Sequence, residues 1–158
     1  MLAWVRLIRA QRVVLGGVEA DLKAAGFPPL VWYDALLELR RAGGALPLAA
    51  LEERMLLAQY NVSRLADRLA AAGYARKSVD AADARSRRLA ITPAGYDLLD
   101  SMWPVYAAAL RNRFAAALSE RQARALAGLL GRIVRLREEQ TPRVRTRFEP
   151  ANAGDRPD

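Results

Sequence analysis

The sequence predicts a mainly α-helical fold with a small β-hairpin wing: a winged helix-turn-helix with one long helix before it and two after it. Three features predict this class. Residues 54–92 run in the order helix, glycine stop, strand, basic turn, strand. Positive charge collects in the same stretch. Apolar stripes near both ends of the chain exceed what one small domain needs to cover its own core.

The central stretch is the most informative. Within 59–72, Val62, Leu65, Ala66 and Leu69 recur at three and four residues and form one apolar face of a helix. Asn61, Arg64, Asp67, Arg68 and Ala71 fall on its other faces. Gly73 stands where a left-handed helix stop belongs, because glycine accepts positive φ without a Cβ clash. Residues 74–79 read as a short extended run and 80–85 as a polar turn. Residues 87–92 make a second strand, in which Leu89 and Ile91 alternate with Arg88 and Ala90. A helix followed by such a hairpin suits double-stranded DNA, the helix entering a major groove and the hairpin lying beside it.

Charge agrees with that outline. The 158-residue chain carries a formal net charge of +8. Across 54–92 eight basic residues stand against three acids, so that quarter of the length holds +5. Residues 1–53 are neutral overall, 93–140 hold +2 and 141–158 hold +1. Arginine outnumbers lysine 23 to 2, as a GC-rich coding sequence would give; that bias explains arginine over lysine but not its clustering. A concentrated basic patch is the electrostatic footprint of phosphate binding.

The remaining elements follow in order. Residues 2–24 form a helix with Leu2, Val5, Ile8, Val13 and Leu15 among its apolar positions. Gly16-Gly17 weaken its middle by about 1 kcal/mol each relative to alanine, which predicts a bend or break there. After a linker at 26–29, residues 30–41 form a second helix that buries Tyr33, Leu36 and Leu37. Residues 45–47 are expected to make a short edge strand paired with the wing. Helix 48–55 turns Leu48, Leu51 and Met55 inward and, through a turn at 56–58, makes a helix-turn-helix with 59–72. Thr92-Pro93 opens a helix running to about Leu118, with Pro104 inside it. Ser119 to Gln122 is a capping-box pattern that starts a last helix, to about Gln140, with an apolar stripe at Leu126, Leu129, Leu130, Ile133 and Leu136. Residues 141–158 carry four arginines, three acids and three prolines with little apolar content, and are expected to be disordered.

Composition excludes several classes. The chain has neither cysteine nor histidine, so disulfides, thiol sensing, structural zinc, histidine acid–base chemistry and cysteine nucleophiles are absent. No pair of acids is set up for catalysis and no glycine-rich phosphate loop is present, so the chain is read as no enzyme, with no cofactor, metal or catalytic residue. No apolar run approaches ~18–20 residues, so no membrane partner is expected. Arg6, Arg9 and Arg12 interrupt any signal-peptide core, and the start reads as an amphipathic helix of a cytoplasmic protein.

The run Val62-Ser63-Arg64-Leu65-x-Asp67-Arg68-Leu69-x-x-x-Gly73-Tyr74-x-Arg76, then Asp80-x-x-Asp83-x-Arg85, then Leu89-x-Ile91-Thr92-x-x-Gly95, resembles the MarR family of bacterial transcriptional regulators. The likeness extends over 1–140 through helix order and length. It implies one domain over 1–140, with the winged helix-turn-helix at about 30–92 and dimerisation helices at 2–24 and 93–140. It further implies a homodimer on a pseudo-palindromic operator, repression as the default, and an effector that alters the spacing of the two recognition helices. Two departures stand out: Ala58 occupies a position where the family often has a polar cap, which predicts a weakly capped recognition helix, and Leu69-Ala70-Ala71 lacks the family's acid before the glycine.

Candidate residues follow from this reading. Ser63 and Arg64 lie on the exposed face of the recognition helix; Arg64 takes either a guanine or a phosphate. Arg68 shares that helix, and Gln59 and Asn61 stand in its first turns, where side chains reach base edges. Arg76, Arg87 and Arg88 are phosphate contacts or solvated strand residues. The resemblance implies that Asp83 orients Arg85 at the wing tip; otherwise the two form an exposed ion pair of little weight. Trp4, Trp32, Tyr33, Trp103 and Tyr106 either line a pocket for a small aromatic effector, as the resemblance implies, or belong to the core. The rival to DNA regulation is a winged-helix protein–protein module without DNA binding.

Overall fold

The computed structural model describes residues 1–56, 61–79 and 87–140. Gln59, the hairpin turn with Asp83 and Arg85, most of the predicted turn at 56–58, and the tail 141–158 lie outside the described residues.

Helix α1 (Leu2–Ala24) runs through Gly16 and Gly17 without a break. Gly17 instead makes room. A Cβ there would collide with the side chain of Arg113, which lies against α1 and grips Asp21 with two hydrogen bonds of 2.8 and 2.6 Å. This hydrogen-bonded guanidinium holds the Asp21 carboxyl below its ordinary value. Only the C-terminal half of α1 is buried, through Val18 and Leu22.

Helix α2 (Leu30–Arg41) is the centre of the core. Its first N–H, on Leu30, donates to both carboxylate oxygens of Glu19 at 3.2 Å, which places an acid at the positive end of the helix. Tyr33 and Leu36 are buried as expected, whereas Leu37 is only half-buried. Two acids, Asp34 and Glu38, are buried in the same helix; Glu38 accepts a 2.7 Å bond from Arg41.

Strand β1 (Ala45–Pro47) leads directly into α3 (Leu48–Arg54), and α4 (Val62–Ala71) completes the helix-turn-helix. The described part of α4 begins at Val62, where Asn61 caps it: the Asn61 Oδ1 accepts the Arg64 N–H at 3.0 Å. The expectation of a weak cap, based on Ala58, is therefore corrected, since the cap comes from a residue three positions later. The helix ends as Gly73 takes φ 81°. The N–H groups of Gly73 and Tyr74 then close on the carbonyls of Ala70 and Leu69, each at 3.0 Å.

Strands β2 (Ala75–Val79) and β3 (Arg87–Ile91) form the hairpin, and β1 pairs with the far side of β3, giving an antiparallel sheet in the order β1-β3-β2. The predicted edge strand at 45–47 is thus present. Thr92 then does two tasks. Its Oγ1 accepts the Gly95 N–H at 3.2 Å and caps α5 (Pro93–Arg113), and its hydroxyl donates to the Gly73 carbonyl at 2.7 Å. Gly95 has no alternative, because a Cβ would run into the Tyr74 carbonyl oxygen.

Helix α5 stops at Arg113 rather than near Leu118, and a 3₁₀ turn (Ala115–Ala117) follows. Leu118 is extended, with ψ 135°, because the next residue must leave helical geometry to cap α6 (Glu120–Gln140). That cap is the predicted box: the Ser119 N–H donates to Gln122 Oε1 at 2.8 Å, and the Ser119 Oγ accepts the Gln122 N–H at 3.4 Å. From Glu120 to Arg135, α6 buries no side chain. The core lies elsewhere, where Leu22, Leu36, Leu39, Leu51, Leu69, Leu89, Leu99 and Met102 converge, all fully buried.

Candidate nucleic-acid interface

The orientation of α4 is fixed by what it buries. Val62, Leu65, Ala66 and Leu69 are each at most 6% exposed, and this face fastens the helix to the core. The opposite face is left in solvent: Ser63, Arg64, Asp67, Arg68 and Ala71 are all exposed. Their spacing places them in two adjacent rows along one side of the helix. Among the described residues neither Arg64 nor Arg68 has an ion-pair partner. Asn61 is exposed, but its side-chain oxygen is engaged by the helix cap. Beside it, a groove of about 290 Å³ opens between α3 and α4, lined by Leu48, Ala49, Glu52, Asn61, Val62 and Ser63.

The strand register parts the predicted wing arginines. Residues paired across an antiparallel ladder share a face. Ala75–Ile91, Lys77–Leu89 and Val79–Arg87 lie on the face that covers the core, and Arg76–Ala90 and Ser78–Arg88 lie on the other. Leu89 and Ala75 are buried on the first face. Arg87 therefore stands exposed at the open end of the face turned toward α4, opposite Val79, which is 62% exposed. Arg76 is exposed on the reverse face.

One feature escaped the sequence reading. Lys77 reaches from β2 to the Asp67 carboxylate on α4 and forms an ion pair with it. The residues are ten apart, and only the register of β2 against β3 places Lys77 on the helix side. No local pattern signals such a pair.

The aromatic set is divided. Tyr33, Trp103 and Tyr106 form one cluster, with ring centroids 5.2 to 6.4 Å apart. Trp32 turns to another side and meets Tyr74 edge-on at 5.9 Å, since consecutive helical residues project about 100° apart. Trp4 stands 62% exposed on the N-terminal half of α1. Burial raises the Tyr33 and Tyr106 hydroxyl pKa values, and the Asp34 carboxylate adds to the rise at Tyr106. No group of three or more acids is arranged for a metal ion among the described residues, and none of their helices is long and apolar enough to cross a membrane.

Known proteins agree with this geometry. A family model described as MarR family matches residues 25–86, from the linker before α2 into the hairpin. A MarR family transcriptional regulator from Streptomyces coelicolor, solved in complex with DNA, superposes with a TM-score of 0.74 at 26% identity, covering 90% of this chain and 88% of that one. Over its winged helix-turn-helix the chain is similar to the MarR family. The HTH-type transcriptional regulator YkoM of Bacillus subtilis (strain 168) is 32% identical over 94 residues. The match spans 60% of this chain and 60% of that relative's length. BpsR of Bordetella bronchiseptica shares the fold at 23% identity, with a TM-score of 0.72 over 81% of this chain and 89% of that one.

Proposed function

We propose that this chain is a MarR-type, sequence-specific DNA-binding transcriptional regulator, working as a homodimer on a pseudo-palindromic operator and acting as a repressor. The observation that carries the reading is the exposed face of α4, where Ser63, Arg64 and Arg68 stand together with no ion-pair partner on either arginine among the described residues. Unpaired guanidiniums on a rigid helix suit guanine edges and phosphates. In this reading Gln59 joins these residues in contacting DNA, Arg87 supplies a phosphate contact from the wing, and Asp83 orients Arg85.

The homodimer rests on apolar surface that one chain leaves open. Leu2, Val5 and Ile8 on α1 and Leu129, Ile133 and Val134 on α6 are between 38% and 62% exposed. Two copies would cover these helices and set two recognition helices at a fixed spacing. The Tyr33–Trp103–Tyr106 cluster supports a site for a small aromatic effector, with Trp103 48% exposed.

The test is binding to a duplex carrying the intergenic DNA next to the coding gene, against random duplex of equal length, over a salt series. The expected result is preference for the intergenic duplex and affinity that falls steeply with salt. Equal affinity for both duplexes would refute sequence-specific regulation. Absence of salt-dependent binding would point to the protein–protein module.

A further inference from the structure

Asp67 is an acid in the middle of an otherwise cationic surface. It lies on the exposed face of α4, three residues after Arg64 and next to Arg68, and its side chain is 63% exposed. Two consequences would follow if it were left alone. A carboxylate beside DNA phosphates repels them. A carboxylate within reach of Arg64, one helical turn away, competes with DNA for that guanidinium. Neither arginine is taken up in this way: Asp67 pairs with Lys77 instead, across from the wing.

Lys77 is placed for this task and not for touching DNA. Its side chain is only 23% exposed. It sits on the inner face of the hairpin, between the buried Ala75 and the exposed Val79, and opposite Leu89, which is fully buried. Its ammonium emerges from under the sheet at the flank of α4.

We propose that Lys77 is a positioning residue of the DNA interface, which holds the Asp67 carboxylate to the wing so that Arg64 and Arg68 stay available to DNA. The inference rests on the DNA-binding reading above. It distinguishes Lys77 from the arginines around it, since Lys77 acts by occupying an acid.

A double-mutant cycle tests it, with affinity for the intergenic duplex measured over a salt series for wild type, Lys77→Ala, Asp67→Asn and the double variant. Lys77→Ala should weaken binding about tenfold, because Asp67 is released onto the interface. Asp67→Asn should bind at least as well as wild type, and the double variant should match Asp67→Asn. Thermal melting of each variant confirms that the folded protein is being compared. If Lys77→Ala weakens binding equally in both backgrounds and lowers the salt slope by about one, Lys77 is a phosphate contact and the inference fails. If Asp67→Asn loses as much as Lys77→Ala, the pair is only a strut between wing and helix and the inference also fails. Wild type that binds no duplex at any salt concentration would overturn the DNA-binding reading and this inference together.

Discussion

At the scale of residues, position on a face decides role. Arg76 and Arg87 look equivalent in sequence, yet the register sets them on opposite faces of the hairpin. Arg87→Ala is expected to weaken DNA binding almost uniformly across sequences and to reduce the salt slope by about one, as for a phosphate contact. Arg76→Ala should leave both nearly unchanged, and an equal loss in the two variants would refute the assignment of faces. Arg64→Ala should cost about 1–3 kcal/mol on the intergenic duplex and relax discrimination against random DNA if it reads a base. The buried tyrosines give a prediction about pH. Burial raises the pKa of Tyr106, with Asp34 adding to it. A group whose folded pKa lies above its unfolded value supports the fold fully below the unfolded value, near 10.0. That support is lost as pH climbs through the folded value. Tyr106→Phe should therefore make stability less sensitive to alkali, which denaturant melts at neutral pH and above pH 10 would reveal.

At the scale of elements, the joint between recognition helix, wing and α5 is closely packed. Thr92 ties the start of α5 to the Gly73 carbonyl, and the Thr92 N–H donates to the Tyr74 carbonyl at 3.1 Å. Gly95 packs against that same carbonyl with no room for a methyl group. Gly95→Ala should destabilise the protein by about 1–3 kcal/mol, as overpacking does. Unchanged melting would show that the joint yields. These contacts give physical reasons for the Thr-x-x-Gly spacing at 92–95, which in sequence is only a pattern. Likewise, Leu69→Ala should cost about 2–5 kcal/mol by opening a cavity under α4.

At the scale of the whole molecule, the two ends of the chain behave differently from its middle. The winged helix-turn-helix buries its own apolar residues, while α6 buries none from Glu120 to Arg135 and the first half of α1 stays exposed. Replacing Leu129 and Ile133 together by glutamate should yield monomers by sedimentation and lower affinity for a palindromic duplex, because paired half-sites no longer add. A stable dimer in that variant would move the dimer interface elsewhere. Truncation after Leu118 should leave an aggregating or unfolded protein.

The sequence by itself determined the elements and their order, because periodicity, caps and glycine stops are local. The recognition helix, expected over 59–72 and observed from Val62 to Ala71, the hairpin, the edge strand and the capping box at Ser119 were all legible from runs of a few residues. So was the exposed face of α4, since helical spacing alone separates Ser63, Arg64 and Arg68 from Val62, Leu65 and Leu69. Tertiary structure decided what depends on residues far apart in the chain. It seated the Arg113 side chain against Gly17, and it set Tyr33 beside Trp103 and Tyr106 while Trp32 met Tyr74. It also brought Lys77 to Asp67. Such pairings follow from strand register and helix packing, which the burial of the whole core fixes and no short window of sequence contains.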